Sequence, residues 1–268
     1  MKDLLTDRAV LISGGTQGLG AAIARAGARE GAAVMISGRN AERGEKVVAE
    51  LQSTGADAGF LQTDVSDVKQ AQASVAATIQ RFGRIDCLVN AAGLTTRGSM
   101  LDTTPELFDQ HIAVNLRAPF FLMQAAIADM KQRGEPGTIV NVISIDSHGG
   151  QSFLAPYVAA KAGLAGLTKN AAHAHRWDRI RVNGVNMGWS ATEGEDEIQR
   201  RTRQTGEDQR TQAATGDWRA TAGATLPMGK LGQPDEIADF VVFLLSERSG
   251  VVTGSVIDWD QNVVGGLG

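Results

Sequence analysis

The sequence is poor in residues that build disulfides, metal centres and membrane spans. A single cysteine, Cys87, excludes an internal disulfide, and the four histidines are scattered without the grouping of a metal site. No apolar run approaches the roughly 20 residues that a membrane-spanning helix needs, and the first residues lack the apolar core of a signal peptide. We therefore expect a cytoplasmic protein without metal or membrane partner.

Neither sign of charge is in large excess. The 268-residue chain has a net charge of −4 and no basic block, which argues against a nucleic-acid-binding surface. Hydrophobic residues make up 43% of the sequence, as is normal for a globular protein with a sizeable core. No linker, repeat or low-complexity tract divides the chain, so we predict a single domain over residues 1–268.

Short apolar runs alternate with longer amphipathic or alanine-rich stretches. Strands are predicted over Ala9–Ser13, Ala33–Ser37, Ala58–Gln62, Cys87–Asn90, Thr138–Ile143, Ile180–Asn186 and Ser255–Trp259. This alternation is typical of parallel strands joined by crossover helices, and wholly apolar strands fit a sheet that is covered on both sides. The predicted fold class is a doubly wound parallel α/β sheet with helices on both faces.

A glycine-rich turn, Ser13–Gly20, follows the first predicted strand and opens the first helix. Glycines let the backbone approach a pyrophosphate, and the helix N-terminus offers free N–H groups and a positive dipole end. The position of this turn after an apolar strand predicts a dinucleotide-binding loop.

A tyrosine and a lysine stand one helical turn apart in the helix predicted over residues 155–177. Tyr157 and Lys161 share a helix face, and Ser144 precedes the tyrosine by thirteen residues. The nearby ammonium group is expected to lower the pKa of Tyr157 from its unperturbed value of about 10. The pair predicts a general acid and base for a hydroxyl or carbonyl substrate, although this spacing alone is common on exposed helices.

These motifs together resemble the short-chain dehydrogenase/reductase family. The glycines follow the spacing Gly-x-x-x-Gly-x-Gly, the segment 90–93 (Asn-Ala-Ala-Gly) follows the fourth strand, and Asn115 lies in the next helical region, predicted over Pro105–Arg133. The stretch Gly229–Ala238 and the pair at 253–254 extend the match over nearly the whole chain. The resemblance implies a Rossmann fold with strand order 3-2-1-4-5-6-7 and hydride transfer between a nicotinamide and an alcohol or carbonyl carbon.

The resemblance also implies the catalytic roles. Tyr157 would be the acid and base, Lys161 would lower its pKa and hold the nicotinamide ribose, and Ser144 would hydrogen-bond the substrate oxygen. Asn115 would hold a water that links the lysine to solvent.

The implied cofactor-binding residues lie in the glycine loop and after the strands. They are Gly14, Thr16, Gln17, Gly18, Leu19, Gly20, Arg39, Asp64, Val65, Asn90, Ala91, Gly93, Tyr157, Lys161, Gly188 and Thr192. Among them, Asp64 would bind the adenine edge and Thr192 would touch the nicotinamide end.

The end of the second strand bears on the choice between NAD and NADP. An acidic residue there would bind the adenosine ribose and repel a 2′-phosphate, but the sequence has Gly38 followed by Arg39. A guanidinium without a carboxylate favours NADP, whereas Thr16 and Gln17 of the glycine loop supply no second basic group. NADP is the preferred prediction, with NAD as the alternative.

Polar and aromatic residues near the catalytic set indicate the substrate. The candidate substrate-binding residues are Asp146, Gln151, Trp189 and Arg97, with His148 and Trp218 nearby in sequence. Hydrogen-bonding groups beside aromatic faces suit a sugar, a polyol or a sugar acid, and Arg97 can meet a carboxylate or phosphate. The alternatives are a reductase of 3-oxoacyl thioesters and, from another class, a nucleotide-binding regulator without turnover.

A charged segment, 189–225, interrupts the alternation after the sixth strand. It has ten acidic or basic residues between Glu193 and Arg210 and few apolar anchors. Such an insertion is either a mobile lid or a solvated excursion. Its position over the expected nicotinamide end favours the lid.

Two departures from the family pattern and one assembly prediction complete the analysis. Met187-Gly188 replaces the usual Pro-Gly, and the segment 258–261 (Asp-Trp-Asp-Gln) replaces Asp-Gly-Gly. Two apolar-rich helical stretches, at 120–123 and 159–167, can pair across two-fold axes, so we expect a homotetramer.

Overall fold

Seven parallel strands form the centre of the molecule, in the order β3-β2-β1-β4-β5-β6-β7. The computed structural model describes residues 3–205 and 217–264. The strands are β1 (Ala9–Ser13), β2 (Ala33–Gly38), β3 (Ala58–Gln62), β4 (Cys87–Asn90), β5 (Gly137–Val142), β6 (Ile180–Met187) and β7 (Val256–Trp259). The predicted fold class and strand order are confirmed.

Helices cover both faces of the sheet. They are α1 (Gly18–Arg29), α2 (Ala41–Ser53), α3 (Val68–Phe82), α4 (Pro105–Ile112), α5 (Ala118–Arg133), α6 (Ala155–His175), α7 (Glu193–Thr205), α8 (Trp218–Ala224) and α9 (Pro234–Leu245). Helices α1, α2 and α9 share one apolar core with the sheet, and α3, α5 and α6 share the other.

The central strand β1 shows why the sheet has two cores. Val10 and Ile12 belong to the core beneath α1 and α9, whereas Leu11 between them belongs to the core beneath α3 and α5. Successive side chains of a strand point to opposite faces, so a wholly apolar strand requires cover on both.

The helical region 105–133 is not one uniform helix. Thr104 caps α4, and a π-helical turn, Ala113–Arg117, joins α4 to α5. Such wider turns are rare and often occur at functional sites. The sequence predicted helix throughout but not this turn, which contains Asn115.

The described parts of the charged segment 189–225 form α7 and α8. Its residues 206–216 lie outside the described residues. Among its described residues, Ala191 and Ala222 form a small buried cluster with Leu231. Trp218 and Leu226 pack against this cluster.

Candidate active site

The carboxyl ends of the strands bring the predicted site residues to one edge of the sheet. Strand register places Ser13 beside Asn90, and Asn90 beside Asn141. In the same sheet, Val142 at the end of β5 lies beside Val185 of β6. Because ligands of doubly wound folds bind outside the carboxyl ends of the strands, this edge is the candidate site.

The glycine loop packs against the segment that follows β4. Gly14 has a φ of 76°, and a Cβ added to it would lie 2.6 Å from the Cα of Ala92. A Cβ on Gly20 would lie 2.1 Å from the carbonyl oxygen of Gly14. Across the cleft, Thr192 approaches the loop, since its Cβ lies 3.7 Å from where a Cβ on Gly18 would be. The loop is a close backbone cradle of the kind that a pyrophosphate requires.

The start of α1 has groups available for a phosphate. Gln17 is the N-cap residue, and no side chain caps the helix there. The first N–H groups of α1 are therefore not capped by the Gln17 side chain and can bind an anion. Leu19 turns inward and is buried in the core, which fixes the helix against the sheet.

The segment after β4 is held by buried hydrogen bonds. Asn90 Nδ2 donates to Asn141 Oδ1 over 2.7 Å, and the Ala91 N–H donates to the Ser13 carbonyl over 3.1 Å. Asn90 Oδ1 is buried and has no hydrogen-bond partner among the described residues. Gly93 lies near the Asn115 side chain, whose Oδ1 would be 3.6 Å from an added Cβ.

The region after β2, where the resemblance places the adenosine ribose, contains a second arginine that the sequence analysis missed. Arg39 is exposed directly after β2, and Arg43, in the first turn of α2, hydrogen-bonds the Gln17 side chain of the glycine loop. Asn40 caps this helix by accepting from the Arg43 N–H at 2.9 Å. The cap signal and the short β2–α2 connection were visible in the sequence, but the reach of Arg43 back to the loop was not.

Asp64 and Val65 follow β3 at the same edge of the sheet. Asp64 Oδ1 accepts hydrogen bonds from Ser66 N and Oγ, at 2.9 and 2.7 Å, which orients the carboxylate. Val65 is buried. Both residues lie where an adenine edge is expected.

Tyr157, Lys161 and Ser144 come together at the carboxyl end of β5. Their exposures are 9%, 3% and 7%. Lys161 Nζ donates to the carbonyl of Val142 over 2.7 Å and lies 5.7 Å from the centroid of the Tyr157 ring. Burial lowers the pKa of Lys161 to about 8.

The pKa of Tyr157 is shifted in the opposite direction from the one predicted. Burial raises it, and although a hydrogen bond with Ser144 works against this shift, the negative charges of Asp146 and Glu195 add to it. Within the protein alone, desolvation of the phenolate outweighs the stabilisation expected from Lys161. Tyr157 is therefore a neutral phenol near neutral pH.

Asn115 is fully buried in the π-helical turn. Its Oδ1 accepts from the Leu94 N–H and its Nδ2 donates to the Leu94 carbonyl, both over 2.9 Å. The Nδ2 also lies 3.2 Å from Nδ1 of His111, a buried histidine that the sequence analysis counted only as scattered. The four-residue spacing of His111 and Asn115 on a helix was the available signal.

Asp146 lies beside the catalytic set on a 3₁₀ turn. Ser144 Oγ donates to Asp146 Oδ2 over 3.2 Å, and the backbone N–H of Gln151 also donates to this carboxylate. Burial raises the pKa of Asp146, and the charge of Asp260 adds to the rise. The Gln151 side chain itself is exposed, so its contribution in this structure comes from the backbone.

Arg97 covers the loop that follows this turn. Its guanidinium lies 4.7 Å above the Phe153 ring, and Gly98 forms a parallel bridge with Leu154. Arg97 thus joins the loop after β4 to the loop before α6, at the rim of the site.

Trp189 follows β6 and is held by the charged segment. Its indole N–H donates to Glu195 Oε1 over 3.1 Å, and its ring centroid lies 6.0 Å from that of Trp218. Gln199 also donates to Glu195 Oε1, over 2.7 Å. Glu195 was not among the predicted site residues.

Both departures from the family pattern meet at Gly188. Strand β6 continues through Met187, which pairs with Trp259, and the Gly188 N–H donates to the Trp259 carbonyl over 3.0 Å. A Cβ on Gly188 would lie 2.1 Å from Asp260 Oδ1. The absence of a side chain at Gly188 leaves room for the Asp260 carboxylate in this position, which brings an unpredicted negative charge to the site.

Within residues 3–205 and 217–264, no three His, Cys, Asp or Glu side chains are grouped to hold a metal ion. None of the helices described there is long and apolar enough to cross a membrane.

Comparison with known proteins identifies the family. The sequence model of the family described as enoyl-(acyl carrier protein) reductase matches residues 14–262. The chain is 33% identical over 260 residues to L-rhamnose 1-dehydrogenase (NAD(P)(+)) of Azotobacter vinelandii, covering 94% of each chain. It is also 33% identical over 261 residues to a 3-oxoacyl-(acyl-carrier-protein) reductase of Thermotoga maritima, covering 97% of this chain and 99% of the other.

Solved structures agree with this assignment. A variant of actinorhodin polyketide ketoreductase, crystallised with NADPH, superposes with a TM-score of 0.87 at 30% identity, covering 95% of this chain and 96% of the other. Levodione reductase gives a TM-score of 0.86 at 32% identity, covering 96% and 97%. The chain belongs to the short-chain dehydrogenase/reductase family and is an NAD(P)-dependent oxidoreductase.

Proposed function

We propose that this enzyme transfers a hydride between NADP and a secondary alcohol or hemiacetal carbon of an uncharged sugar or polyol. The observation that carries this proposal is the Asp146 carboxylate hydrogen-bonded to Ser144, with Glu195 and Asp260 also close enough to influence the site. Carboxylates accept hydrogen bonds from substrate hydroxyls and repel substrates of like charge. They therefore favour a neutral polyhydroxylated substrate over a sugar acid, which also fitted the sequence.

The protein's part in the chemistry is proton transfer and orientation. Tyr157, as the neutral phenol, donates a proton to the carbonyl oxygen in the reductive direction. Ser144, whose single O–H points to Asp146 in this structure, would turn that hydrogen to the substrate oxygen and orient it. Lys161 would hold the nicotinamide ribose when the cofactor is bound, and its ammonium group would favour the phenolate that forms. The amide hydrogens of Asn115 are engaged by Leu94 and His111, so its side chain has no N–H left to donate to a relay water.

The dinucleotide, when bound, accepts or supplies the hydride. The backbone cradle at Gly14 and Gly20 and the uncapped start of α1 fit its pyrophosphate. Arg39 and Arg43 would meet the 2′-phosphate, which supports NADP over NAD. The polyketide ketoreductase of similar fold was crystallised with NADPH.

A 3-oxoacyl thioester reductase is the second candidate function. The similarity to the Thermotoga maritima enzyme favours it, whereas the carboxylates at this site disfavour the more apolar acyl substrate of such an enzyme. A regulator without turnover is disfavoured, since Ser144, Tyr157 and Lys161 are assembled and buried together. A cytoplasmic location stays a prediction.

A matched substrate screen tests the proposal. Each aldose or polyol is compared with the sugar acid of the same carbon skeleton and with 3-oxoacyl thioesters, using both nicotinamides and following absorbance of the reduced ring. We expect the neutral member to exceed the acid by about tenfold or more in kcat/KM, the scale of one unfavourable charge contact. Asp146→Asn should lower the ratio of kcat/KM for the neutral substrate to kcat/KM for the acid. A preference for the acid or the thioester would reject the proposed substrate class.

A further inference from the structure

His111 is a buried titratable side chain to which the roles above assign nothing. It lies in the last turn of α4 and is 0% exposed. Its Nε2 lies 2.9 Å from the carbonyl oxygen of Thr96, and its Nδ1 lies 3.2 Å from Asn115 Nδ2. A carbonyl oxygen only accepts, so Nε2 carries the proton, and Nδ1 is left as an acceptor.

The orientation of the Asn115 amide follows from its other partner. Leu94 donates its N–H to Oδ1 and accepts from Nδ2 at its carbonyl. A flipped amide would lose both bonds, so Nδ2 faces His111 as a donor. The neutral imidazole thus accepts the second Nδ2 hydrogen and ties the π-helical turn to the loop at Thr96.

The same ring also contacts the proposed acid. The His111 and Tyr157 rings meet edge to face, with centroids 6.2 Å apart and an interplanar angle of 80°. His111 therefore touches both parts of the proposed proton path, namely the turn around Asn115 and the phenol.

We propose that His111 is a positioning residue, whose neutral imidazole fixes the turn around Asn115 relative to Tyr157. This inference rests on the roles proposed above for Asn115 and Tyr157. It acts on the chemical step, because a displacement of about 1 Å in such a site can lower the rate by about 100-fold.

Three variants separate the two hydrogen bonds from the packing. In His111→Asn, an amide oxygen can stand near the position of Nδ1 and accept from Asn115. In His111→Gln, an amide nitrogen can stand near Nε2 and donate to Thr96, while the acceptor for Asn115 is lost. His111→Phe keeps the ring and loses both bonds. His173→Phe, on the exposed surface of α6, is the matched control.

We expect kcat to fall by about 10- to 100-fold in His111→Phe and His111→Gln. His111→Asn should stay within about threefold of wild type, the scale of a modest packing change. KM, the cofactor dissociation constant from protein fluorescence and the control variant should change by less than about threefold, since the cofactor cradle is untouched. Thermal unfolding of each variant identifies any that fail to fold.

The inference is overturned if His111→Phe keeps wild-type kcat, or if His111→Gln is at least as active as His111→Asn. The Asn and Gln variants decide alone if the Phe variant does not fold. Tyr157→Phe, measured in parallel, separates this result from the proposed function. If Tyr157→Phe stays active, the acid assignment fails. If it is inactive while the Asn and Gln variants do not differ as expected, only the role of His111 fails.

Discussion

At the scale of single residues, burial determines the protonation state of the proposed catalytic groups. The Tyr157 phenol is kept neutral and the pKa of Lys161 falls to about 8 for the same reason, since both charged forms lose solvation. Because the two side chains are buried close to each other, their protonation should be sensitive to substitutions that leave the fold intact.

The first prediction concerns the proton donor. Tyr157→Phe removes the transferable proton and keeps the ring, so kcat should fall by about 100-fold or more while cofactor still binds. Steady-state kinetics and cofactor titration check this. Phe153→Leu, at the rim of the site, is an aromatic control that should retain kcat within about tenfold. A Tyr157→Phe enzyme with more than about a tenth of wild-type kcat would contradict the assignment.

The second prediction follows from the pKa of Lys161. Because its folded pKa of about 8 is below its usual 10.5, the unfolded chain binds more protons between these values. The contribution of Lys161 to folding stability should therefore rise with pH from about 8 and be lost again as pH falls. Denaturant unfolding of wild type and Lys161→Met across this range measures it as a difference. A pH-independent difference would show that the lysine is not desolvated.

The third prediction concerns the two arginines at the adenosine end. Arg39→Leu and Arg43→Leu should each weaken NADP binding by about tenfold and leave NAD binding nearly unchanged, since only NADP has the 2′-phosphate. Lys46→Leu, one turn further along α2 and also exposed, is the control for loss of charge. If the wild type binds NAD more tightly than NADP, the assignment of NADP as the cofactor is wrong.

Sequence reasoning named the proposed catalytic residues but not the residues that surround them. Tyr157, Lys161 and Ser144 stand in a recognisable spacing. Asp260, by contrast, reaches the site only because β7 lies beside β6 and Gly188 leaves room for its carboxylate. Glu195 could not be singled out from the other charged residues of its segment. Such residues meet through tertiary packing, which no local pattern records.

At the scale of elements, strands and most helices could be predicted because apolar strands and amphipathic helices alternate with clear boundaries. Strand β3, Ala58–Gln62, was predicted without error, and β6 was one residue longer than expected because Met187 pairs with Trp259. The π-helical turn has no comparable signal, and α7 was obscured by its high charge.

The fourth prediction concerns the ion pair that joins α7 to α8. Asp196 accepts from Trp218 Nε1 at 2.8 Å and from Arg219 Nη2 at 2.6 Å. We propose that these helices are a lid over the nicotinamide end, which closes when cofactor and substrate are bound. Asp196→Asn keeps an acceptor for Trp218 and removes the ion pair, so hydrogen exchange in α7 and α8 should speed up and slow less on ligand binding.

Glu193→Gln, in the first turn of α7, is the control for that experiment, because it removes a charge without breaking the Asp196 ion pair. If hydrogen exchange in Asp196→Asn equals that of the wild type both with and without ligands, the segment is a solvated excursion and not a lid. Normal kinetics in Trp189→Ala would likewise exclude this tryptophan from substrate contact.

At the scale of the whole molecule, the sheet and its two cores follow from the sequence, but the assembly does not. Intramolecular burial can be inferred from periodicity, whereas a surface that packs on another copy has the same composition as one that faces water. On α5, Leu122 and Met123 are buried in the chain's own core, while Phe120 is 44% exposed. The homotetramer therefore stays a prediction, on a smaller surface than the sequence implied.

The fifth prediction tests this assembly. Phe120 on α5 and the exposed small residues Ala159, Ala162 and Gly166 on α6 would form the paired helix faces, because small side chains let helices approach closely. Light scattering should give four times the 28.2 kDa chain mass for wild type, and Phe120→Glu should lower this mass by placing a charge in the contact. Trp177→Glu alters an aromatic that is 83% exposed, beyond the end of α6, and should leave the mass unchanged. A wild-type mass of 28.2 kDa at micromolar concentration would refute the tetramer.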